Sequence, residues 1–342
     1  MKALRLHQEG GAISIDDVAD PTPPVGDEVL VRMKIVSLNH IDLFGFRGMA
    51  FAKRSLPIVV GVEGVGVVEA TGPEVQGLKA GDAVVIYPGL FCGTCKRCRQ
   101  GRENLCENNR SIMGFHVDGI AAERVKAPAK RVVKVPGGAP LKSAACTTVT
   151  FATVQHMLFD NAKLETGETI LVHAAGSGIG STAIKMAKAI GATVFTTVGS
   201  DDKIEKAKAI GADHVINYTT ERFEGRVRRL TDKRGVDVVF EHVGPTTWGG
   251  SLLSMAFGGR LVTCGSTTGI TAETNLYQVF QMQLKIFGSF GSSLRNVRES
   301  LDKMAAGMAP VIDTEIALSE FPKALERLKS RQVFGKIIAA IP

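Results

Sequence analysis

Four cysteines in the first third of the chain offer the most specific chemistry in the sequence. Between residues 92 and 106 lie Cys92, Cys95, Cys98 and Cys106. Two-residue gaps let a loop fold around one ion, and four thiolates suit a tetrahedral zinc of the closed, structural kind. We therefore predict one structural Zn²⁺ in this lobe. The alternatives are disulfides, which a reducing compartment disfavours, and an iron–sulfur cluster.

A second motif, small and glycine-rich, follows an apolar run at residues 169–172 and opens into a helical pattern. Small residues let the backbone approach a pyrophosphate, and a helix N-terminus presents unpaired N–H groups. The match to GxGxxG is imperfect, because Ala175, Ser177 and Gly180 hold the three glycine positions. A tight turn without a ligand is the alternative. The predicted dinucleotide contacts are Gly176, Ser177, Gly178, Ile179 and Gly180.

The residues after the second apolar run of this pattern indicate the type of dinucleotide. NAD sites place an acidic residue there, which holds the ribose 2′-hydroxyl and repels a 2′-phosphate. Val198 stands at that position, while Ser200, Lys203 and Tyr218 can donate hydrogen bonds or positive charge to a phosphate. We therefore predict NADP(H). The alternative assigns Lys203 and the two aspartates before it to the solvated first turn of a helix.

Two different patterns of apolar and turn-forming residues along the chain predict two domains of an α/β protein. Residues 25–88 alternate valine-rich runs with Gly, Pro and Asp, which indicates short antiparallel strands of a barrel-type domain. From about residue 165, apolar strands alternate with helical patterns, as in a doubly wound parallel sheet. The expected parallel strands are 169–172, 193–195, 214–216, 236–240, 260–263 and 284–287. We assign 1–150 to the first domain, completed by 291–342, and 151–290 to the dinucleotide-binding domain.

Composition and charge narrow the classes of function for this 342-residue chain. Charged residues interrupt the apolar runs, so we predict no membrane contact and a cytoplasmic location. The net charge is +7, but basic and acidic residues are interspersed and only 6% of residues are aromatic. A nucleic-acid surface is therefore not expected. The basic group 222–234 is interpreted as a solvated helix face.

The whole chain resembles the medium-chain dehydrogenase/reductase superfamily, in particular its zinc-type alcohol dehydrogenase and quinone oxidoreductase branches. The segments SLNHID at 37–42, GVEGVG at 61–66, YPG at 87–89 and FGK at 334–336 carry this resemblance together with the cysteine lobe. It implies a GroES-like catalytic domain, a Rossmann domain and a substrate cleft between them. It also implies cofactor contacts from His40, Thr153, Gly265, Ser266 and Lys336.

The sequence departs from the alcohol dehydrogenases where those enzymes bind catalytic zinc. The matching positions are Asn39, Val62 and Val149, and none is an ordinary zinc ligand. Ile41 and Phe44 replace the residues of the alcohol-proton relay. Asn39 is similar to what the zinc-free quinone reductases carry at this position.

Without zinc, hydride from NADPH must go to a carbon that is already electrophilic, as in a conjugated C=C bond or a quinone. We therefore predict reduction of an enone, a quinone or an enoyl thioester. Asn39 is expected to hydrogen-bond the nicotinamide ribose or the substrate carbonyl, while Asp42 braces the local structure. No residue stands out as proton donor. An apolar cleft is predicted from Ile41, Phe44, Tyr87, Phe91 and Phe115.

Two other functions remain open at this point: a zinc-dependent alcohol dehydrogenase and a non-catalytic protein that binds NADPH and RNA. The expected partner is a small-molecule substrate. Strand 284–287 lies at the end of the predicted parallel order, so its edge can pair with the same strand of another subunit. The resemblance implies a homodimer or a homotetramer assembled in this way.

Overall fold

The structure, a computed structural model, describes the backbone of residues 1–46 and 56–342 and the side chains of 1–43 and 56–342. It divides into two units, the first comprising Met1–Ala152 and Ser292–Pro342 and the second Thr153–Gly291. Within the described ranges, no helix is both long and apolar enough to cross a membrane.

The N-terminal part of the first unit consists mainly of short strands. Its strands are β1 (Lys2–Leu6), β2 (Ile13–Asp17), β3 (Glu28–Ser37), β4 (Ile58–Val59), β5 (Gly64–Thr71), β6 (Ala83–Ile86), β7 (Arg124–Pro128) and β8 (Val132–Lys134). Its helices are α1 (His40–Phe46), α2 (Lys96–Arg99) and α3 (Leu141–Ala144). The chain passes into the second unit within α4 (Ala152–Gln155), which follows a π-helical segment at Thr147–Phe151 and precedes another at His156–Asn161.

The second unit alternates strands with helices. The strands are β9 (Thr169–Val172), β10 (Thr193–Val198), β11 (His214–Asn217), β12 (Val236–Glu241), β13 (Met255–Thr263) and β14 (Lys285–Gly288). The helices are α5 (Gly178–Ala189), α6 (Ile204–Ala209), α7 (Phe223–Leu230), α8 (Pro245–Leu253) and α9 (Leu276–Gln281). The chain then returns to the first unit with α10 (Leu294–Ala305), β15 (Ile312–Ala317), α11 (Phe321–Lys329) and β16 (Lys336–Ala340).

Strand β3 is central to the larger sheet of the first unit, because it pairs antiparallel with β5, β7 and β16. The described strands follow the order β15-β16-β3-β5-β6-β8, while β2-β1-β4 form a smaller sheet. Buried side chains such as Leu4, Met33, Val84 and Phe321 make the core. The antiparallel domain expected from the alternating valine runs is therefore present.

The second unit contains the predicted parallel sheet, in the order β11-β10-β9-β12-β13-β14. This order reverses between β9 and β12, and dinucleotides bind outside the carboxyl ends of strands at such a switch point. The observed strands agree with the predicted ones to within one residue except at two: β10 continues to Val198 instead of ending at residue 195, and β13 begins at Met255 instead of residue 260. Its early start accompanies an irregular register opposite Val236 and Val238, with glycines at positions 258 and 259 inside the strand.

Candidate functional site

The side chains of the four lobe cysteines converge on one point. Their sulfur atoms all lie within 4.8 Å of one another. The Sγ of Cys92 is 3.9 Å from that of Cys98 and 3.6 Å from that of Cys106. A zinc–sulfur bond of about 2.3 Å places the sulfurs of a tetrahedral site about 3.8 Å apart, so the lobe fits Zn²⁺.

Backbone N–H groups prepare the lobe for thiolates. The amides of Cys95 and Thr94 donate to the Cys92 sulfur at 3.3 and 3.4 Å. These bonds lower the pKa of the Cys92 thiol to about 5. Burial instead raises the pKa of Cys98 to about 12, so this thiol needs a cation in the lobe in order to ionise. The cluster therefore fits one structural zinc ion.

Asn39, the predicted catalytic amide, is enclosed by protein partners. Its Nδ2 donates to the Ser37 carbonyl at 3.1 Å and to Glu63 at 3.0 Å. Its Oδ1 accepts from Lys336 at 2.6 Å and from the Thr150 hydroxyl at 3.2 Å. The Thr150 hydroxyl has one proton and lies closer to Glu63, at 2.9 Å, so it divides that proton between the two acceptors. Glu63, Lys336 and the Ser37 carbonyl therefore hold the Asn39 amide in place.

Glu63 is the centre of this network and was given no role by the sequence analysis. Its carboxylate is fully buried and accepts from the amides of Val149 and Thr150 at 2.8 and 2.6 Å. Lys336 donates to it at 3.1 Å. Burial alone would raise the pKa of Glu63, but Lys336 and the hydrogen bonds from Thr150 and Asn39 hold that pKa below its usual value. The position of Glu63 inside an apolar run of the sequence could have indicated this role, because a charge that is buried among apolar residues requires a partner.

Lys336 also differs from its predicted role as a cofactor contact. Its ammonium group donates to the Leu38 carbonyl and to Asn39 at 2.6 Å each, in addition to Glu63. All three N–H donors are therefore used inside the first unit. This lysine balances the charge of Glu63 and leaves no donor for a phosphate.

Two of the three positions matched to the catalytic zinc ligands lie among hydrocarbon side chains. Val62 and Phe115 are buried together, and Ile41, Ile112 and Val149 pack against them. Two of the three matched positions thus lie in one apolar cluster, while the third is Asn39 in the polar network. Among the described residues, the cysteine lobe is the one group of three or more Cys, His, Asp or Glu side chains placed to share an ion.

The remaining predicted residues of this region have separate environments. The carboxylate of Asp42 accepts from the Asn39 amide at 2.8 Å, so it holds the start of α1. His40 is the first residue of α1 and is partly exposed, whereas Thr153 is buried on α4. The predicted apolar cleft divides into two groups: Ile41 and Phe115 lie in the cluster above, but Tyr87 and Phe91 form an edge-to-face pair. The side chain of Phe44 lies outside the described residues.

The glycine turn has the geometry of a dinucleotide site. Ser177 caps α5, accepting from the Gly180 amide and donating to the Ala174 carbonyl, both at 2.9 Å. A Cβ on Gly180 would lie 2.2 Å from that carbonyl, so only glycine fits. The turn places Gly176, Gly178 and Ile179 at the N-terminus of α5, beside the switch point of the sheet. These residues fit a bound pyrophosphate.

The predicted 2′-phosphate contacts occupy the loops after β10 and β11. Tyr218 covers Gly199 so closely that a Cβ there would lie 2.6 Å from the tyrosine hydroxyl. Ser200 hydrogen-bonds Asp202, and this bond together with the charge of Lys203 lowers the pKa of the Asp202 carboxyl. An acidic side chain therefore lies among the predicted phosphate ligands.

Two further predicted cofactor residues follow β13. A Cβ on Gly265 would lie 3.0 Å from the His242 carbonyl, so this loop approaches the end of β12. Ser266 precedes Thr268, whose amide and hydroxyl donate to the Val243 carbonyl at 2.9 and 2.8 Å. The loops after β12 and β13 are thereby joined at the carboxyl edge of the sheet.

Comparisons with known proteins now identify the lineage. Residues 26–137 match the alcohol dehydrogenase GroES-like domain, and residues 178–306 match the zinc-binding dehydrogenase family. An alcohol dehydrogenase of Geobacillus stearothermophilus is 32% identical over 351 residues, with 100% of each chain covered. An acryloyl-coenzyme A reductase of Metallosphaera sedula is 31% identical over 344 residues, with 99% of each chain covered.

A solved structure supports the same lineage. The crystal structure of an NAD-dependent alcohol dehydrogenase is similar with a TM-score of 0.94 and 38% identity, covering 100% of both chains. The predicted fold class, a GroES-like domain with a Rossmann domain, is thus confirmed. The chain is an oxidoreductase and belongs to the zinc-type medium-chain dehydrogenase/reductase superfamily.

Proposed function

We propose that the protein is an NADPH-dependent reductase of a C=C bond conjugated to a carbonyl, with an enoyl thioester as the favoured substrate class, and that it works without catalytic zinc. The observation that carries this proposal is the apolar cluster of Val62, Phe115, Ile41, Ile112 and Val149. Hydrocarbon side chains supply neither a ligand for a Lewis acid nor a base for an alcohol. A conjugated alkene needs neither, because its own carbonyl withdraws electrons from the carbon that receives hydride.

The residues of the first unit have supporting roles in this proposal. Bound NADPH would supply the hydride to one carbon of the double bond, and water would supply the proton to the other. The cluster around Val62 excludes water from one side of the reacting carbons, and the buried Glu63 network holds Asn39 and the start of α1 in place. His40 and Thr153 stay proposed cofactor contacts.

The thioester class is supported by the acryloyl-coenzyme A reductase among the relatives. The net charge of +7 also favours an anionic substrate such as a coenzyme A derivative, because a positive field attracts its phosphates. Quinones and simple enones are the other members of the proposed class.

NADPH is proposed over NADH because β10 ends at Val198 without a carboxylate for the ribose hydroxyls. Ser200, Lys203 and Tyr218 lie on the adjoining loops and can contact a 2′-phosphate. Gly265 and Ser266 are proposed to line the same dinucleotide site from the loop after β13.

We also propose a homodimer, or a homotetramer of such dimers, in a reducing, cytoplasmic setting. Strand β14 is the end strand of the described parallel sheet, and its Ile286 is partly exposed. Nearby in sequence, Leu276 and Phe280 on α9 are 73% and 68% exposed. Pairing of two β14 edges would cover such apolar surface. Sedimentation at micromolar concentration should show the dimer or tetramer, and a monomer would contradict it.

A screen of NADPH oxidation tests the reaction. Crotonyl-coenzyme A, a small enone and a quinone are compared with oxidation of ethanol in the presence of NADP⁺. The proposal expects turnover with at least one conjugated acceptor and none with ethanol. Ethanol turnover together with two zinc ions per chain would instead establish the alcohol dehydrogenase function, which the names of several relatives favour.

A further inference from the structure

A chain of hydrogen bonds runs beneath the carboxyl ends of the parallel strands. Glu241 ends β12 and is fully buried, and His173, directly after β9, is fully buried as well. Thr197 near the end of β10 and Ser251 on α8 are also buried and lie between or beside them. None of these residues has a role predicted from the sequence.

Glu241 is surrounded by donors. One carboxylate oxygen accepts from the backbone amides of His242, Val243 and Gly244 at 2.9, 2.6 and 3.1 Å. The other accepts from the hydroxyls of Thr247 and Ser251 at 2.9 and 2.7 Å. These amides precede α8, so the carboxylate lies at the positive end of that helix. The three backbone amides can only donate and the helix end is positive, so these partners favour the ionised form of Glu241.

The charge on Glu241 sets the direction of the hydrogen bonds that follow. A carboxylate only accepts, so Ser251 must use its single proton on it. The Ser251 oxygen can then only accept from Nε2 of His173, at 2.9 Å. Burial lowers the pKa of His173, which keeps the ring neutral. Nδ1 therefore accepts from the Thr197 hydroxyl at 3.2 Å.

The chain of hydrogen bonds from Glu241 through Ser251, His173 and Thr197, here called the relay, ends at the glycine turn. The Thr197 oxygen accepts from the Ala174 amide at 3.0 Å, and Ala174 is the first residue of the turn with a left-handed φ of 53°. In parallel, Nε2 of His242 donates to the His173 carbonyl at 3.0 Å. The anion thus orders the loops after β9, β10 and β12 together.

We propose that Glu241 is a positioning residue for the dinucleotide, acting through Ser251, His173 and Thr197 on the conformation of the glycine turn. This inference rests on the proposed dinucleotide-dependent function. The turn fits the pyrophosphate, which NADH and NADPH share. Losing the negative charge of Glu241 should therefore weaken the binding of both cofactors equally. In contrast, changing a 2′-phosphate contact should affect NADPH alone.

Glu241→Gln tests the inference with little change in shape. The Gln carbonyl can serve the three backbone amides, but its NH₂ must then donate to Ser251. The Ser251 proton turns toward His173, whose proton moves from Nε2 to Nδ1. We expect ¹⁵N NMR of histidine-labelled protein to show this change of tautomer, with the His173 signal assigned by its loss in His173→Gln. The Kd of NADH and of NADPH should each rise about five- to tenfold in fluorescence titrations.

Asp237→Asn is the matched control. Asp237 lies on the same strand as Glu241, but its carboxylate accepts from the Thr169 amide at the amino ends of the strands. It should change neither the His173 tautomer nor the two Kd values. If Glu241→Gln does not fold, Ser251→Ala breaks the same relay and should weaken the binding of both NADH and NADPH.

The outcomes separate the two proposals. An unmodified protein that binds neither dinucleotide would refute the proposed function. An unmodified protein that binds them, with unchanged Kd values in Glu241→Gln or Ser251→Ala, would overturn only the role of Glu241. Weakened binding with an unchanged His173 tautomer would also overturn it, because the effect would then not pass through the relay.

Discussion

The cysteine lobe and the Val62 cluster lie in the same unit but differ in every property that a metal requires. The lobe brings four sulfur atoms within 4.8 Å and supplies amide donors to them. The cluster places Val62 and Val149, the positions matched to catalytic zinc ligands, among hydrocarbon side chains. A closed metal site stabilises a loop, whereas an open one performs chemistry. The difference fits a structural metal in the lobe and supports the proposal that the chemistry needs no metal at the cluster.

Removing a zinc ligand from the cysteine lobe should have the largest effect on zinc content and stability. Cys98→Ser is expected to reduce the zinc content from one per chain toward zero and to lower the free energy of unfolding by more than about 4 kcal/mol, because metal binding and folding of such a lobe are coupled. Elemental analysis and denaturant unfolding measure both quantities. Cys264→Ser, outside the lobe, should keep the zinc; loss of zinc in both variants would contradict the assignment.

The second largest effect is expected beside the cluster, at the Glu63–Lys336 pair. Lys336→Met leaves a buried, unbalanced carboxylate and should cost about 3–5 kcal/mol of unfolding free energy at neutral pH. The double variant Glu63→Gln with Lys336→Met removes both charges and should recover much of that loss. No recovery in the double variant would mean that packing, not charge, dominates there.

The pair also has a defined pH dependence. The folded-state pKa of Glu63 is depressed, so its contribution is complete above the unfolded value of about 4.3 and is lost as pH falls through the folded value. In Lys336→Met, burial without the cation raises that pKa above the unfolded one. The difference in stability between this variant and the parent protein should therefore shrink as pH falls from 7 toward 4; a difference that grows would contradict the ion pair.

A single ligand placed in the cluster should not restore a metal site. Val62→His is expected to lower the free energy of unfolding by about 1–3 kcal/mol, because a polar ring is then buried among hydrocarbons. The zinc content should stay at one per chain, since Val149 and Asn39 offer no further strong ligand. Val62→Ile keeps the hydrocarbon and should cost less than about 1.5 kcal/mol. A second zinc in Val62→His would show that the cluster is an incomplete metal site.

The smallest effect concerns the cofactor. The parent protein should prefer NADPH over NADH by about ten- to a hundredfold, and Lys203→Ala should narrow this ratio chiefly by weakening NADPH. Lys206→Ala, one turn further along, is the control and should leave the ratio unchanged. Fluorescence titration at moderate salt measures both affinities. Equal affinities of the parent protein for NADPH and NADH would show that Lys203 is only a solvated residue at the start of a helix.

Local patterns account for what the sequence predicted. The cysteine spacing and the apolar strands of the second unit each depend on neighbouring residues, so both could be read before the fold was known. The Glu63–Lys336 contact could not, because 273 positions separate the two residues. For the same reason the contacts of Asn39 with Glu63 and Lys336 could not be predicted. The relay from Glu241 to Ala174 likewise depends on strand order rather than on a motif.

Zinc stoichiometry in a catalytically active sample tests the central claim most directly. Purified protein that reduces an enoyl thioester with NADPH should contain one zinc per chain, in the cysteine lobe. Activity should not increase when zinc is added. Two zinc ions per active chain, or activity that depends on a second one, would contradict the account.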